Sequence, residues 1–441
     1  MARVISAETF RDMLDERRRG ERSFVVVDTR PKESFAGWRI PDAIHYFYKP
    51  FHTFDVDDFE AKTGLDADTT VVTTCAKGKA SLDFAESLES AGYGTITVVE
   101  DGMRGWSRVY DRTTIPLPDS DAKQLDIVQI QRRAKGCLGY LVVGGTAADG
   151  DQRIARPDTE QPSRVAVAVD VSRHGSAWRD AARAHDATIC AVLDTHVHAD
   201  HLSGGRSLAN ELGVSYYLPA AAADRGVSHA FSSLEPNETL NVGGVDLKAL
   251  ATPGHTSDMA SYLIGRSAVL TGDTLFTDSV GRTELQFGDK TTESDAPQKA
   301  AGESDTSTGA AHGAAQLYDS LHRTLLAEPD DIVVCPGHFA VANDGTTGAV
   351  VPGEPVVTTV GSARQAIDVL ALTRSAFVDR ITATVPEKPP NYESIIAANR
   401  GVESPSDTVS AIELELGPNR CAADSGTTPG TDSGTAPAAD K

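Results

Sequence analysis

The stretch Asp194-Thr195-His196-Val197-His198-Ala199-Asp200-His201 comes directly after the apolar run at residues 189–193. A short apolar run ending in polar residues reads as a buried strand, so these side chains belong to the loop at its end. Burying three imidazoles and a carboxylate this close together is costly unless a cation sits among them. Neutral imidazole nitrogens and carboxylate oxygens suit zinc, iron or manganese. The pattern predicts a metal loop at a strand end.

Further ligands follow other apolar runs. They are His255 in Thr252-Pro253-Gly254-His255-Thr256, Asp273 in Thr271-Gly272-Asp273-Thr274, and His338 in Pro336-Gly337-His338. Together with His196, His198, Asp200 and His201 they make seven candidate ligands, enough for one metal ion or two. His45, His52, His174, His185, His229, His312 and His322 lack such a setting and read as structural or solvated.

Around this core, residues 126–131, 140–143 and 164–171 read as strands, 178–185 as a helix, and 262–271 and 332–335 as a continuing strand–helix mixture. Such a succession predicts a layered sheet core covered by helices. Upstream, strand-like runs at 24–27, 70–74 and 95–99 alternate with a helix at 81–91, which places Leu82, Phe84, Ala85 and Leu88 largely on one face. That alternation predicts a smaller α/β domain with a parallel sheet. The expected organisation is a first domain at 1–112, a linker at 113–123, and a second domain at 124–421. A surface insertion is expected at 289–312 and a disordered tail at 422–441, both being polar stretches without apolar periodicity.

The first domain has its own reactive candidate. Cys75-Ala76-Lys77-Gly78-Lys79-Ala80-Ser81 lies between a strand and a helix. A thiol there faces inward-pointing N–H groups at the positive end of the helix dipole. Those donors, with Lys77 and Lys79 as substrate-binding candidates, would stabilise a thiolate or a persulfide anion. Gly78 permits the tight curl.

Composition narrows the partners. Sixty-three acidic against 41 basic side chains leave a net charge of −22, and only 12 of the basic residues are Lys. A surface of hydrated carboxylates suits high salt, as in halophilic proteins, and the absence of a basic patch argues against nucleic acid. No apolar run reaches the ~20 residues needed to span a bilayer, and the first residues carry no signal pattern, so a cytoplasmic location is expected. Five widely spaced cysteines, Cys75, Cys137, Cys190, Cys335 and Cys421, fit neither a disulfide framework nor a thiolate cluster.

Two family resemblances add to these readings. The loop Cys-x-x-Gly-x-x-Ser, the upstream Val27-Asp28-Thr29-Arg30, the stretch Glu33 to Ala43 and the downstream Gly102-Met103-Arg104-Gly105-Trp106 together resemble a rhodanese domain. Arg39 stands where that family usually has His. The resemblance implies a parallel-sheet α/β fold and assigns Cys75 the sulfane-sulfur carrier role. The order of histidine and aspartate motifs is similar to the metallo-β-lactamase superfamily, with Asp170 matching an early strand-end aspartate; an αβ/βα sandwich is implied. Within it, Ser279-Val280-Gly281-Arg282-Thr283-Glu284-Leu285-Gln286 resembles the Gly-Cys-Gly-Arg-Thr-Asp-Phe-Gln segment of persulfide dioxygenases more than its glyoxalase II counterpart, although Val280 replaces the cysteine of both. The segment from Pro389 to Gly401 also resembles the dioxygenase C-terminal end.

The dioxygenase resemblance implies one Fe2+ per chain on His196, His255 and Asp273, with His198, Asp200, His201 and His338 around it or at a second site. The glyoxalase II alternative implies two metals, such as two Zn2+, bridged by Asp273. The residue set by itself fits either. The expected activity is oxidation of a low-molecular-weight thiol persulfide with O2 to sulfite, coupled to sulfur transfer at Cys75. Arg282 is the candidate for steering the substrate, and sulfur-accepting proteins are further expected partners. Thioester hydrolysis and a non-catalytic sulfur-carrier module are the other readings.

Overall fold

The computed structural model describes residues 2–50, 53–117, 125–145, 164–287, 306–383 and 387–423. The N-terminal unit is built on a five-stranded sheet in the order Arg3–Ile5, Ile96–Val99, Val71–Thr74, Val25–Asp28 and Ile44–His45. Every pairing is parallel. All-parallel strands need both faces covered. Phe10, Phe24, Met103 and Trp106 pack on one face, and Phe59, Phe84, Leu88 and Tyr93 on the other.

The second unit packs two sheets face to face. A seven-stranded sheet runs Ser232–Leu234, Ser215–Pro219, Ala187–Leu193, Arg164–Val169, Cys137–Val143, Asp126–Arg132 and Tyr110–Thr114. A six-stranded sheet runs Thr239–Val242, Val245–Ala251, Ala260–Ile264, Ala268–Gly272, Val333–Pro336 and Thr358–Thr359. Ile127, Tyr140, Val167 and Leu193 from the first sheet meet Leu247, Tyr262, Leu270 and Cys335 from the second in one buried core. Outside the first sheet, Trp178 and Leu208 anchor the helices Ser176–Ala184 and Gly205–Leu212. Outside the second lie Leu317, Leu321 and Phe377 of the helices Thr306–Arg323 and Arg374–Ala383. The result is helix, sheet, sheet, helix.

Several expected boundaries move. Tyr110–Thr114 pairs antiparallel with Asp126–Arg132, so the second unit's sheet begins inside the expected first domain and takes Thr113 and Thr114 from the expected linker. A strand at a sheet edge joins whichever sheet offers its hydrogen bonds, and local pattern does not say which. The expected mixture at 262–271 resolves into two antiparallel strands joined by a turn. The helix Thr306–Arg323 takes the last residues of the expected 289–312 insertion; residues 289–305 lie outside the described residues. At the expected tail, Ala422 bridges to Gly281 and the Ala423 N–H donates to the Val280 carbonyl; residues 424–441 lie outside the described residues.

Trp38 Nε1 donates to the Ala134 carbonyl at 3.1 Å, and the Arg133 guanidinium joins Asp15 of the first unit to Asp111. The two units are thus joined by buried polar contacts as well as by the chain. All five cysteines are free and buried. Among the described residues no helix is long and apolar enough to cross a membrane.

Candidate metal centre and thiol loop

Strand Ala187–Leu193 ends beneath the histidine loop, and every candidate ligand in the loop is buried. His196, His255 and Asp273 offer ligand atoms within 4.8 Å of one another. Asp273 Oδ2 lies 3.4 Å from His255 Nε2 and 3.9 Å from His196 Nε2. None of these three buried atoms has a hydrogen-bond partner. Buried polar atoms are rarely left unpaired, and three facing one another fit a cation between them. The opposite side of each ring is held: His255 Nδ1 is 2.7 Å from the Arg282 carbonyl and His196 Nδ1 is 2.9 Å from Thr195 Oγ1. Such outer bonds orient the ligand nitrogen. Burial pushes both imidazole pKa values down, which keeps their lone pairs available at neutral pH. Burial alone would raise the Asp273 pKa, but His338, His255 and His196 together bring it below the usual carboxylate range.

The other ligand candidates form a different kind of cluster. His338 Nδ1 is 2.5 Å from Asp273 Oδ1, and its Nε2 is 3.0 Å from Asp200 Oδ2. Asp200 Oδ1 is 3.0 Å from His201 Nδ1. Besides Asp273 Oδ2, His201 Nε2 is without a partner in that chain of contacts. His198 brings Nε2 to 3.2 Å from Asp170 Oδ1, though neither of its nitrogens completes a hydrogen bond. Asp170 itself accepts from the Thr195 N–H at 2.7 Å, with its backbone in the left-handed region at φ 49.

Glycines let the backbone close over the site. A Cβ on Gly281 would lie 1.9 Å from the Asp273 carbonyl oxygen and 3.3 Å from the His255 Cβ; one on Gly337 would lie 2.6 Å from Asp273 Oδ1. The segment around Gly281 therefore lies against His255 and Asp273, but Arg282 turns its guanidinium into the protein. Its side chain is fully buried. It pairs with Glu284 and donates to the carbonyls of Glu387 and Arg420 at 2.9 and 3.0 Å. Packing of the C-terminal segment takes up its donors, so the steering role expected of it is corrected to a structural one.

Cys137 had no role in the sequence, yet its Sγ donates to Asp200 Oδ2 at 3.3 Å. Cys421 shares a close set with Asp273 and His338. Asp258 was missed too; its Oδ2 accepts the Val197 N–H at 2.8 Å and its Oδ1 pairs with Arg225 at 2.9 Å. Its one local signal is its place three residues after His255.

In the first unit, Cys75 caps strand Val71–Thr74 and precedes helix Lys79–Ser90. Both the N–H and the Oγ of Ser81 donate to its Sγ at 3.4 Å. Gly78 sits at φ 81, the left-handed region the curl requires. Lys77 and Lys79 flank the loop on its exposed side. Gly102 fits against it because a Cβ there would meet the Cys75 carbonyl at 2.0 Å.

Comparison with known proteins agrees with this division. Residues 6–109 match the rhodanese-like domain and residues 166–338 the metallo-β-lactamase superfamily. A hydroxyacylglutathione hydrolase of Acidiphilium cryptum is 40% identical over 100 residues, 22% of this chain and 41% of that protein. A probable hydroxyacylglutathione hydrolase of Schizosaccharomyces pombe is 34% identical over 152 residues, 34% of this chain and 47% of its own length. The chain thus spans less than half the length of these two curated relatives. A metallo-β-lactamase structure from Staphylococcus aureus aligns with TM-score 0.50 at 22% identity, covering 65% of this chain and 76% of the other. The ETHE1 structure from Myxococcus xanthus aligns with TM-score 0.43 at 26% identity, covering 66% of this chain and 99% of the other. The superfamily fold implies a divalent metal, and the unpartnered atoms of His196, His255 and Asp273 fit one. The chain joins a rhodanese-like domain to a domain of the metallo-β-lactamase superfamily.

Proposed function

We propose that the metal domain oxidises a low-molecular-weight thiol persulfide with O2, at one iron held by His196, His255 and Asp273, and that Cys75 handles sulfane sulfur beside it. The balance is RSSH + O2 + H2O giving RSH and sulfurous acid: the outer sulfur is oxidised to sulfite and O2 takes up four electrons. Two histidines and one carboxylate leave positions open on a bound ferrous ion, which would supply the redox chemistry. The chain's own part is to hold two neutral imidazoles and an ionised carboxylate rigidly, out of water, and at fixed separation.

The observation that carries this reading is the contrast between the two clusters. The three atoms of the His196, His255 and Asp273 set lack partners, whereas both nitrogens of His338 are taken up by Asp273 and Asp200. Fusion to a domain with a sulfur-handling loop supports a sulfur substrate. A second reading, thioester hydrolysis with two metals, is favoured by the hydroxyacylglutathione hydrolase names of the relatives and by the partnerless His198 nitrogens and His201 Nε2. The deciding experiment uses anaerobically purified protein supplied with glutathione persulfide and, separately, with S-lactoylglutathione. The proposal expects O2 uptake matched by sulfite, with about one iron per chain. Rapid thioester hydrolysis with two zinc ions and no O2 uptake would overturn it.

A further inference from the structure

The histidine loop is held partly by its own bonds, such as that of Ser203 to Asp194, and partly from a distant segment. We infer that Asn399 and Glu415, both C-terminal to the stretch that matches the metallo-β-lactamase superfamily, are positioning residues that hold the loop from His198 to Ser203 and, through it, the setting of His196, the one ligand this loop gives the proposed iron. Asn399 Nδ2 donates to the carbonyls of His198 at 2.9 Å and His201 at 2.8 Å, while its Oδ1 accepts the Ser203 N–H at 2.8 Å. Glu415 Oε1 accepts the Leu202 N–H at 2.9 Å. Two side chains thus take up four backbone groups in a loop of irregular conformation, where regular secondary structure supplies no partner.

Glu415 is itself held. It is 1% exposed, and Arg132 Nη1 and Arg173 Nε lie 3.0 and 2.9 Å from its carboxylate. Arg132 Nε donates to the Ser107 carbonyl at 2.8 Å, at the end of the helix Gly102–Trp106. That helix is bonded to the thiol loop, since the Met103 N–H donates to the Cys75 carbonyl at 2.8 Å. Arg104 of the same helix pairs with Glu413. The segment that braces the loop is therefore also anchored on the rhodanese-like unit.

Groups that orient a ligating loop typically change metal affinity 10–100-fold when removed. Asn399→Asp keeps the acceptor for Ser203 and loses both donors to the histidine carbonyls; Glu415→Gln keeps an acceptor for Leu202 and loses the charge facing two arginines. This inference rests on the metal reading of the loop, and its test does not depend on the reaction. The full chain is stripped, titrated with cobalt(II) against a chelator, and its visible absorption recorded, with the melting temperature of the metal-free protein measured alongside. Both variants should bind cobalt about 10–100-fold more weakly, with an altered absorption envelope in the fraction that binds. A lower metal-free melting temperature with parental affinity and spectrum would overturn the inference and leave the two residues purely structural, as would no change at all. Should Asn399→Asp fail to fold, Glu415→Gln alone decides by the same criteria. A parent that binds no cobalt would reject the metal site along with the brace; a parent that binds it but consumes no O2 with a persulfide rejects only the proposed reaction.

Discussion

His338 Nδ1 lies 2.5 Å from Asp273 Oδ1, so one oxygen of the carboxylate is occupied by protein while the other faces His196 and His255 without a partner. In the proposed one-iron reading the open side is the ligand, while His338 belongs to a second buried set, with Cys137, Asp200 and His201, whose ligand atoms also lie within 4.8 Å of one another. A second ion at His338 would first have to displace its contacts with Asp273 and Asp200.

The first prediction concerns metal count. Elemental analysis of anaerobically prepared protein should give about one metal ion per chain. His255→Ala should lose it, because the remaining pair cannot complete the set. A preparation that retains two ions per chain at saturation would contradict the reading of the His338 contacts.

Gly281→Ala should empty the same site without replacing a ligand. The added methyl carbon would sit 1.9 Å from the Asp273 carbonyl oxygen, so backbone or ligand must move. Metal content should fall sharply while far-ultraviolet circular dichroism stays close to the parent. Retention of full metal content would show that the segment can give way.

Cys75→Ser removes the sulfur that Ser81 addresses from both its N–H and its hydroxyl. In the reaction expected of this loop, the thiolate takes the outer sulfur of thiosulfate and releases sulfite; cyanide then removes that sulfur as thiocyanate and restores the thiolate. The variant should form no thiocyanate, yet keep its metal and its O2 uptake with a supplied small-molecule persulfide. Parallel loss of both activities would mean that the metal site is fed only through Cys75.

Arg282→Met should act on stability rather than on substrate affinity. Breaking a buried ion pair from one side typically costs about 3–5 kcal/mol, since the partner is left buried and uncompensated; here that partner is Glu284. Denaturant titration should show the loss. A raised KM with unchanged stability would restore the steering role.

Acid should loosen the brace. Burial would raise the Glu415 pKa, but Arg132 and Arg173 outweigh it and bring the group down to about 2, below its usual 4.5. A carboxylate depressed on folding stabilises the native state above its unfolded pKa, and that stability is lost as pH falls through the folded value. The contribution, on the order of 3 kcal/mol for a shift of this size, should disappear between pH 4.5 and about 2. Glu415→Gln should flatten the stability-against-pH curve in that window; a curve of parental slope there would show that another carboxyl governs it.

What could be read directly from the chain was chemistry that is local in sequence. His196, His198, Asp200 and His201 lie within six residues after one buried strand, and Cys75 to Ser81 is a single strand-to-helix turn, so in each case the backbone alone brings the reactive groups together. Parallel pairing in the first unit was legible for a similar reason, since alternating strands and helices leave few other ways to bury both faces of a sheet. Tertiary structure alone decided which groups close the site. Asn399 reaches His198 across 201 residues and Glu415 reaches Leu202 across 213. A single Asn or Glu on a distant helix end carries no periodicity that would announce such a bond. Arg282 shows the converse: its neighbours in sequence pointed to the metal site, but the direction of a long side chain is set by whichever acceptors pack around it. Those acceptors, Glu284 beside it and the carbonyls of Glu387 and Arg420, come together only when the C-terminal segment folds back over the metal loop.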